Sequence, residues 1–224
     1  MVEGAYQTYK GPDGTEIKSY YVAPDDPRGA VMLLRGVAGP DSGYTEIADR
    51  LSAEGFAALV HTWQVRGNDV EDAPLLGDIG AAIGFLKGRK ELGGRKVALF
   101  GYCKGGGFAV LAAARIPDVA AVVAFHGFAR RPDGATAACA NPIDVVDRVR
   151  QPVLLLHGEA DQLSPVGSMR ELAAAFQKAG VPSAIHVYPA ADHGFAVSTH
   201  KGYKADAATD GFNRAVAFLK QHLQ

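Results

Sequence analysis

Cysteine is scarce in this sequence, and neither sign of charge is in excess. The 224 residues include two cysteines, Cys103 and Cys139, which are too few for a disulfide framework, so we expect a reducing compartment. Lysine and arginine number 23 against 24 aspartates and glutamates, which gives a formal net charge of −1. Nucleic-acid-binding domains usually carry a basic excess, and this even balance argues against a nucleic-acid partner.

No apolar run is long enough to cross a membrane. The longest one, between Gly105 and Ala129, is interrupted by Arg115, Pro117 and Asp118, whereas a membrane span needs about 20 consecutive apolar residues. The first residues, MVEGAYQTYKGPDG, do not show the basic segment followed by an apolar segment that marks a secretion signal. We therefore expect a cytoplasmic protein with no membrane partner.

Nothing in the sequence divides it into parts. No internal repeat or low-complexity linker is visible, and the segment between Arg130 and Asn141 is too short to separate domains. Hydrophobic residues make up 48% of the sequence, enough for a core of ordinary size. We predict a single domain over residues 1–224.

Short apolar runs alternate with stretches whose apolar residues recur at helical spacing. We interpret the runs as strands buried on both faces and the stretches between them as helices. Such alternation is typical of an α/β fold, a mostly parallel sheet flanked by helices. The predicted strands lie within 30–36, 56–63, 96–102, 119–127, 152–161 and 184–194, and the predicted helices at 44–54, 76–90, 106–115, 169–179 and 211–223.

The first part of the chain follows another pattern. The stretch YQTYKGPDGTEIKSYYVAP alternates in character around a Pro-Asp-Gly turn, which predicts an antiparallel hairpin at the edge of the sheet. In sheets of this kind, ligands bind beyond the carboxyl ends of the parallel strands. Candidate functional residues are therefore those directly after each apolar run.

The sequence GYCKGG at 101–106 runs from an apolar strand into a helical stretch. This is the glycine-x-nucleophile-x-glycine pattern, with cysteine where serine is more usual. Glycine is needed on both sides because the turn is sharp and a side chain there would collide with neighbouring backbone. We expect Cys103 to be a nucleophile, its thiolate favoured by the N–H groups at the helix start and by the Lys104 ammonium.

Each cysteine also has a structural interpretation. Free cysteine is among the most buried residue types, so Cys103 is alternatively a small apolar residue in a glycine-rich turn. Cys139 lies in an alanine-rich loop without such a pattern, and we expect no catalytic role for it.

An acid and a base follow the nucleophile in the chain order that a triad uses in one class of hydrolases. Asp161 closes the apolar stretch PVLLLHGEAD, and His193 closes the next one within HVYPAADHGF. Glu159 is a neighbouring carboxylate that is able to replace Asp161, and Asp192 alternatively caps a turn. We predict that Cys103, Asp161 and His193 form a catalytic triad.

Other histidines compete with His193 for the role of base. His193 is alternatively a hydrogen-bonded loop residue. His126 is the second choice for an imidazole that lines the pocket, and His157 is expected to support the acid loop by a hydrogen bond. The competing histidines occupy positions 61, 126, 157, 186, 200 and 222.

Acyl transfer places negative charge on a carbonyl oxygen, which two converging backbone N–H groups stabilise. One candidate donor of this oxyanion hole is the N–H of Lys104, directly after the nucleophile. The other is expected in the loop Gly36-Val37-Ala38-Gly39 after the first buried strand, and Val37 is our choice by position. The loop is also interpretable as a plain strand-to-helix turn.

Together, GYCKGG at 101–106, LHGEAD at 156–161 and YPAADHGF at 188–195 resemble the dienelactone hydrolase family, carboxymethylenebutenolidases of the α/β-hydrolase fold. The likeness spans nearly the whole chain, including ADRLSAEGFAALV at 48–60. It implies a compact hydrolase without a large lid that cleaves an ester or lactone through an acyl-enzyme on a Cys–His–Asp triad. It also implies that no metal or organic cofactor is needed.

Two positions depart from the family pattern. Family members that open dienelactone carry a glutamate in the loop after the first core strand, where this chain has Arg35-Gly36-Val37. They also hold the substrate carboxylate with an arginine four residues after the catalytic histidine, where this chain has Val197. A second clamp arginine corresponds loosely to Arg66, which is alternatively a solvated loop cation.

With part of that anion clamp replaced, we expect the substrate to be a small, weakly charged ester or lactone with an apolar or aromatic part. Trp63, Tyr102, His126 and Phe195 are expected near the rim of its binding site, together with Arg66. Trp63 and Phe195 are alternatively core residues. The sequence is compatible with a monomer or a homodimer.

Two functions of other classes stay open. A thiol-based redox or sensor protein would use Cys103 as a reactive thiolate without acyl chemistry. A non-catalytic binding module of the same fold would bind a ligand and turn over no ester. The candidate triad favours the hydrolase over both.

Overall fold

The structure, a computed structural model, describes residues 3–37, 42–131, 134 and 136–223. These residues form an eight-stranded sheet in the order β1-β2-β4-β3-β5-β6-β7-β8, with helices against both faces. The strands are β1 (Ala5–Lys10), β2 (Glu16–Val22), β3 (Ala30–Leu34), β4 (Ala57–His61), β5 (Val97–Tyr102), β6 (Val119–Phe125), β7 (Val153–Gly158) and β8 (Ser183–Tyr188). The helices are α1 (Ser42–Ala53), α2 (Asp72–Lys87), α3 (Lys104–Ala113), α4 (Val166–Lys178) and α5 (Ala205–His222).

The centre of the sheet is parallel and buried on both faces. Strands β3, β4, β5 and β7 are buried at every residue, and β3 to β8 pair in parallel. Helices cover both faces of such a strand, so its sequence is a continuous apolar run rather than an alternating one. The expected α/β architecture is confirmed.

The two faces of the sheet carry separate cores. Helices α2, α3 and α4 pack on one face, where Leu75 and Phe108 lie in the same cluster as Met32 of β3. Helices α1 and α5 pack on the other, where Leu51 and Leu219 join the next residue of β3 in sequence, Leu33. Successive side chains of a strand point to opposite faces, so each central strand contributes to both cores.

The hairpin lies at the edge of the sheet, as predicted. Strand β1 pairs with β2 in antiparallel register, and β2 continues antiparallel to β4. At the opposite edge, β8 has β7 as its only partner among the described strands and is mostly half-buried. The expectation that all six apolar runs are buried on both faces is therefore wrong for β8.

All five helices begin earlier than their apolar spacing indicated, and the difference is largest for α2 and α5. Helix α2 begins at Asp72 and α5 at Ala205, several residues before the predicted starts. The first turn of α2 is Asp-Ala-Pro, where proline is tolerated, and its residues give no apolar periodicity. Single-turn 3-10 helices at Trp63–Arg66 and Lys90–Leu92, and a longer one at Pro142–Arg148, were not predicted.

The topology places the loop after β3 beside the loop after β5. Strand β3 lies between β4 and β5, so the chain leaves β3 toward one neighbour and later returns on the other side. Ligands bind at such a switch point, beyond the carboxyl ends of the strands. Gly36 and Cys103 meet here, since a Cβ atom on Gly36 would lie 3.1 Å from the Cβ atom of Cys103.

Within the described ranges, none of the helices combines the length and apolar character that a membrane span requires.

Candidate active site

Cys103 occupies a strained turn between β5 and α3. Its φ of 54° and ψ of −124° are unusual for a residue with a side chain, and it directly precedes the first residue of α3. The turn is held by a hydrogen bond from the Cys103 N–H to the carbonyl of Phe125, 3.1 Å long. The side chain is half-buried. Backbone strain of this kind is common where a reactive side chain must be presented at a fixed angle.

The glycines around the turn have no room for a side chain, as predicted. A Cβ atom on Gly101 would lie 2.2 Å from the carbonyl oxygen of Gly105, and one on Gly105 would lie 1.9 Å from the carbonyl oxygen of Leu34. Both obstacles are backbone atoms, which cannot rotate away. The start of α3 therefore packs directly on the ends of β3 and β5.

His193 joins the side chains of Asp161 and Cys103. Its Nδ1–H donates to Oδ2 of Asp161 at 2.8 Å, which leaves Nε2 as the ring nitrogen available to the thiol. Burial favours the neutral ring, but hydrogen bonds with Asp161 and Cys103 outweigh it and raise the pKa of His193 to about 10. At neutral pH the ring is therefore positively charged between two groups able to carry negative charge.

Asp161 is fixed by the backbone of its own loop. Its Oδ1 accepts hydrogen bonds from the N–H groups of Leu163 at 2.9 Å and Ser164 at 2.8 Å. Burial alone would raise the pKa of this carboxyl, but the hydrogen bonds from His193 and Ser164 lower it overall. A carboxylate with both oxygens occupied cannot turn away from the imidazole.

His157 supports the acid loop, as expected. This buried ring donates from Nε2 to the carbonyl oxygen of Ser164 at 2.7 Å. Burial lowers the pKa of His157, and the bond to Ser164 only partly offsets that effect. A neutral imidazole thus closes the loop that carries Asp161.

The competing carboxylates lie elsewhere. The Glu159 side chain is exposed. Asp192 accepts the backbone N–H of His193 at Oδ1, 2.7 Å away, and so caps the turn that presents this ring. Asp161 is the carboxylate that meets the imidazole.

The loop after β3 is organised by side chains that sequence reasoning missed. The N–H of Gly36 donates to the hydroxyl oxygen of Tyr44 at 3.1 Å, and the amide of Gln64 donates to the Gly36 carbonyl at 2.7 Å. The Trp63 indole donates to the carbonyl of Arg35 at 2.8 Å. No local pattern in the sequence marks Tyr44 or Gln64 for this task, because each meets the loop only through the tertiary fold.

The two predicted oxyanion donors flank the nucleophile turn. Lys104 is the first residue of α3, where N–H groups have no partner within the helix. Since the N–H of Gly36 is already bonded to Tyr44, Val37 is the next donor along the loop. The other two residues of the predicted loop, Ala38 and Gly39, lie outside the described residues.

The Lys104 ammonium is already engaged in a hydrogen bond with the backbone. Its Nζ donates to the carbonyl of Asn68 at 2.8 Å, so part of its hydrogen-bonding capacity is already in use.

Cys139 sits in a turn where its backbone exchanges two hydrogen bonds with Thr136.

The side chains expected at the rim of the site are buried instead. Tyr102 is 1% exposed, and Trp63, His126 and Phe195 are 0% exposed. Tyr102 and Phe195 lie in the core between the sheet and α1 and α5, and Trp63 packs against Phe108 of α3. Residues directly after a strand can lie in the core of this fold. Their position in the sequence therefore does not tell whether they lie at the rim of the site or in the core.

Arg66 is neither a solvated cation nor a group that points freely at a substrate. Its guanidinium binds Asp78, which is completely buried, through Nε at 2.7 Å, and it also binds Asp13 in the hairpin turn. A substrate carboxylate at Arg66 would have to compete with both acids. Val197, at the position of the other clamp arginine, is fully buried.

Among the described residues, no group of three histidine, cysteine or acidic side chains is arranged to hold a metal ion. Arg35, in the segment Arg35-Gly36-Val37 that replaces the glutamate-bearing segment of the family, is largely buried and lies with its guanidinium carbon 5.6 Å from the ring centre of Tyr44. The described part of the loop after β3 therefore carries a cation beside Tyr44 and no acidic side chain.

Comparisons with known proteins identify the family and the fold. A family model described as the dienelactone hydrolase family matches residues 61–223. A protein of Methylorubrum extorquens named "Putative carboxymethylenebutenolidase" is 30% identical over 227 residues, which cover 92% of this chain and 77% of that relative.

Solved structures share the fold over nearly the full length. A Klebsiella pneumoniae protein described as "Putative Dienelactone Hydrolase" superposes with a TM-score of 0.88 at 23% identity, covering 99% of this chain and 100% of that one. Esterase 2 of Thermogutta terrifontis, solved with propionate bound, has a TM-score of 0.79 at 20% identity and covers 97% of this chain and 94% of its own.

Proposed function

The chain belongs to the dienelactone hydrolase family, whose members hydrolyse ester bonds, and we propose that it cleaves a small carboxylic ester or lactone with Cys103, His193 and Asp161 as catalytic triad. The observation that carries this proposal is the position of the His193 ring. One nitrogen bonds Asp161 at 2.8 Å, and the interaction of the same ring with Cys103 contributes to its raised pKa. A base between a nucleophile and an orienting carboxylate is the arrangement that acyl transfer needs.

In the first half of the reaction the ester bond is exchanged for a thioester. The Cys103 thiolate, formed when its proton passes to Nε2 of His193, attacks the acyl carbon and pushes an electron pair onto the carbonyl oxygen. That pair returns, the carbon–oxygen bond breaks, and the alkoxide takes the proton from Nε2. The raised pKa of His193 supports this sequence, because the ring holds the proton until the leaving group needs it.

In the second half water replaces the thiolate. Neutral His193 accepts a proton from water as the oxygen attacks the thioester carbon, and collapse of this intermediate breaks the carbon–sulfur bond. The carboxylic acid leaves, and thiolate and imidazolium are restored. Asp161 keeps Nδ1–H engaged throughout, so Nε2 remains the nitrogen that exchanges protons.

The developing oxyanion would be met by the N–H groups of Val37 and Lys104. Each such donor contributes about 10²–10³ in rate when it is correctly placed. The bond between the N–H of Gly36 and Tyr44 supports Val37 as the donor from its loop, since it removes the neighbouring candidate.

Activation of the thiol would rest on His193 and the start of α3. The family glutamate is replaced by the segment Arg35-Gly36-Val37, which contains no carboxylate. We therefore infer a triad closer to that of an ordinary esterase than to that of the dienelactone enzymes.

A neutral substrate fits the charges around the site. Arg66 is bound by Asp13 and Asp78, Lys104 by the carbonyl of Asn68, and Val197 is buried. These three positions are where an anion clamp would be sought, and none offers a cation without a protein partner. A small ester or lactone with an apolar or aromatic part is the expected class. Binding roles for Trp63, Tyr102, His126 and Phe195 stay predictions that would require these buried rings to be reached from the site.

The test is hydrolysis of matched esters and lactones, neutral and anionic, by the wild type, Cys103→Ala and Cys139→Ala. We expect short p-nitrophenyl esters to be hydrolysed by the wild type and by Cys139→Ala, and turnover to fall at least about 10³-fold in Cys103→Ala. Equal turnover by the two cysteine variants would contradict the proposal. A strong preference for anionic lactones would contradict the neutral substrate class and point to another cation.

The competing functions give other outcomes in the same assay. A redox thiol would react with peroxide in the wild type and in His193→Ala and would turn over no ester. A binding module would bind ligands and hydrolyse none. A cytoplasmic location, independence from cofactors, the single domain over residues 1–224, and the choice between monomer and homodimer stay predictions.

A further inference from the structure

His126 stands out among the buried residues because its position carries costs that nothing in its immediate surroundings offsets. It follows β6 directly, its φ is 35°, and its side chain is 0% exposed. Residues with a side chain rarely adopt a positive φ, and histidine is one of the few types that are enriched there. Strain of this kind persists only where the surroundings impose it, and it clusters at functional sites.

The ring nitrogens add a second cost. Neither Nδ1 nor Nε2 of His126 has a hydrogen-bond partner among the described residues. A buried polar atom without a partner destabilises the folded state, so such atoms are uncommon in folded proteins. A purely structural residue at this place would be expected to avoid that cost.

The ring of His126 contacts the ring of His193. Their centres lie 4.8 Å apart and their planes are inclined by 69°, an edge-to-face arrangement. The rings of Phe195 and Tyr102 stand at 5.7 Å and 5.8 Å and complete an aromatic enclosure around His126. The backbone N–H of His126 is fixed to the carbonyl of Leu156 at 2.8 Å.

His126 stays uncharged in this enclosure. Burial lowers its pKa well below the usual range, and the nearby histidines, His193, His157 and His200, lower it further. The other titratable group in ring contact is Tyr102, whose pKa is raised by burial. A neutral ring beside the imidazolium of His193 is compatible with that charge, whereas a second cation would repel it.

We propose that His126 is a positioning residue, whose uncharged ring braces the imidazole of His193 at the angle at which it meets both Asp161 and Cys103. Asp161 fixes one end of the His193 ring by a hydrogen bond, but a single bond still allows the ring to tilt about it. The edge-to-face contact with His126 removes this freedom. The inference rests on the proposed function, since His193 needs bracing only if it moves protons to and from Cys103.

The ring itself, rather than its nitrogens, is what the proposal requires. Phenylalanine keeps an aromatic ring of similar size and removes both unpartnered nitrogens. Asparagine and glycine tolerate a positive φ and remove the ring. His126→Phe, His126→Asn and His126→Gly therefore separate bracing by the ring from the backbone requirement.

The experiment measures kcat and KM for a neutral p-nitrophenyl ester across pH, with thermal melting to confirm folding. We expect His126→Phe to keep kcat within about threefold of the wild type, and His126→Asn and His126→Gly to lose about 10–100-fold in kcat with little change in KM. The alkylation rate of Cys103 near neutral pH should fall in the two ring-free variants and return in His126→Phe. A purely structural residue would change melting without this selective rescue.

The outcomes that overturn the inference are distinct from those that overturn the triad. If folded His126→Phe loses as much kcat as His126→Asn, the ring is not what matters. If the folded ring-free variants keep wild-type kcat and alkylation, no bracing is needed. Failure of the proposed function would show instead as full ester turnover by Cys103→Ala, whatever the His126 variants do.

Discussion

The Nδ1 atom of His193 and the Oδ2 atom of Asp161 lie 2.8 Å apart, although 32 residues separate them in the chain. The other oxygen of Asp161 is held by the N–H groups of Leu163 and Ser164. The carboxylate thus has one orientation, and through it the imidazole keeps one nitrogen toward Cys103. This contact connects the β7 loop to the β8 loop at the carboxyl edge of the sheet.

Asp161→Asn should therefore reduce kcat/KM by about 10²–10⁴ while the protein stays folded. The amide keeps the size of the side chain, but it neither compensates the imidazolium charge nor fixes the tautomer of His193. Ester hydrolysis and circular dichroism measure the two parts of this prediction. Glu159→Gln is the matched control, because this exposed carboxylate lies two residues earlier. An equal loss in both variants would contradict the assignment of the acid.

Gly105→Ala should destabilise the protein by at least about 3 kcal/mol and abolish hydrolysis. The added methyl group would lie 1.9 Å from the carbonyl oxygen of Leu34, so β3 and α3 would have to separate. The control is Gly80→Ala within α2, where a Cβ atom meets nothing within 4 Å. This control should gain about 0.5–1 kcal/mol from helix propensity. Urea unfolding of both variants measures these changes in the free energy of unfolding. If Gly105→Ala were as stable as the wild type, the turn would be less closely packed than described.

Acid should weaken the fold through His61, at the end of β4. Burial lowers the pKa of this histidine to about 4, against about 6.5 when the chain is unfolded. Below pH 6.5 the unfolded chain takes up a proton that the folded protein refuses, so stability is lost as the pH falls from 6.5 toward 4. This difference in proton uptake lowers the free energy of unfolding by on the order of 3 kcal/mol over that range of pH.

Urea unfolding at pH 7 and pH 4 tests this with His61→Gln. The variant loses packing at both values of pH, but the gap in unfolding free energy between it and the wild type should narrow at pH 4. A gap of constant size for His61→Gln would show that His61 takes up its proton in the folded state as readily as in the unfolded chain.

Arg66→Gln should affect stability rather than substrate choice. The guanidinium satisfies the buried carboxylate of Asp78, and losing one partner of such a pair costs about 3 kcal/mol. The ratio of kcat/KM for anionic and neutral esters should stay unchanged, because the cation is directed at Asp78 and Asp13. A variant that selectively loses anionic esters would restore Arg66 as a substrate clamp.

The order of strands and helices was predictable because a strand buried on both faces has a recognisable sequence, a continuous run of apolar residues. Strands β3, β5 and β7 are such runs. The turn at Cys103 is marked in the sequence by glycines, which have no room for a side chain in the structure. The start of α2 was not predictable from periodicity, since its first turn is acidic and contains a proline.

The surroundings of the candidate triad were less accessible from the sequence. Arg66 meets Asp13 and Asp78 across 53 and 12 residues, and Tyr44 meets Gly36 through a hydrogen bond from a helix to a loop. Such pairings depend on how elements pack, and no local pattern encodes them. For the same reason the burial of His126 was visible only in the folded chain.

The central claim is that the imidazole of His193 activates the Cys103 thiol. The most direct measurement is the rate of Cys103 alkylation from pH 5 to pH 9, in a Cys139→Ala background that leaves one cysteine, with and without His193→Ala. The account predicts rapid alkylation at pH 6–7 that falls by about tenfold or more in His193→Ala, because the thiolate loses its charged partner. Identical rates at every pH with and without the imidazole would contradict it.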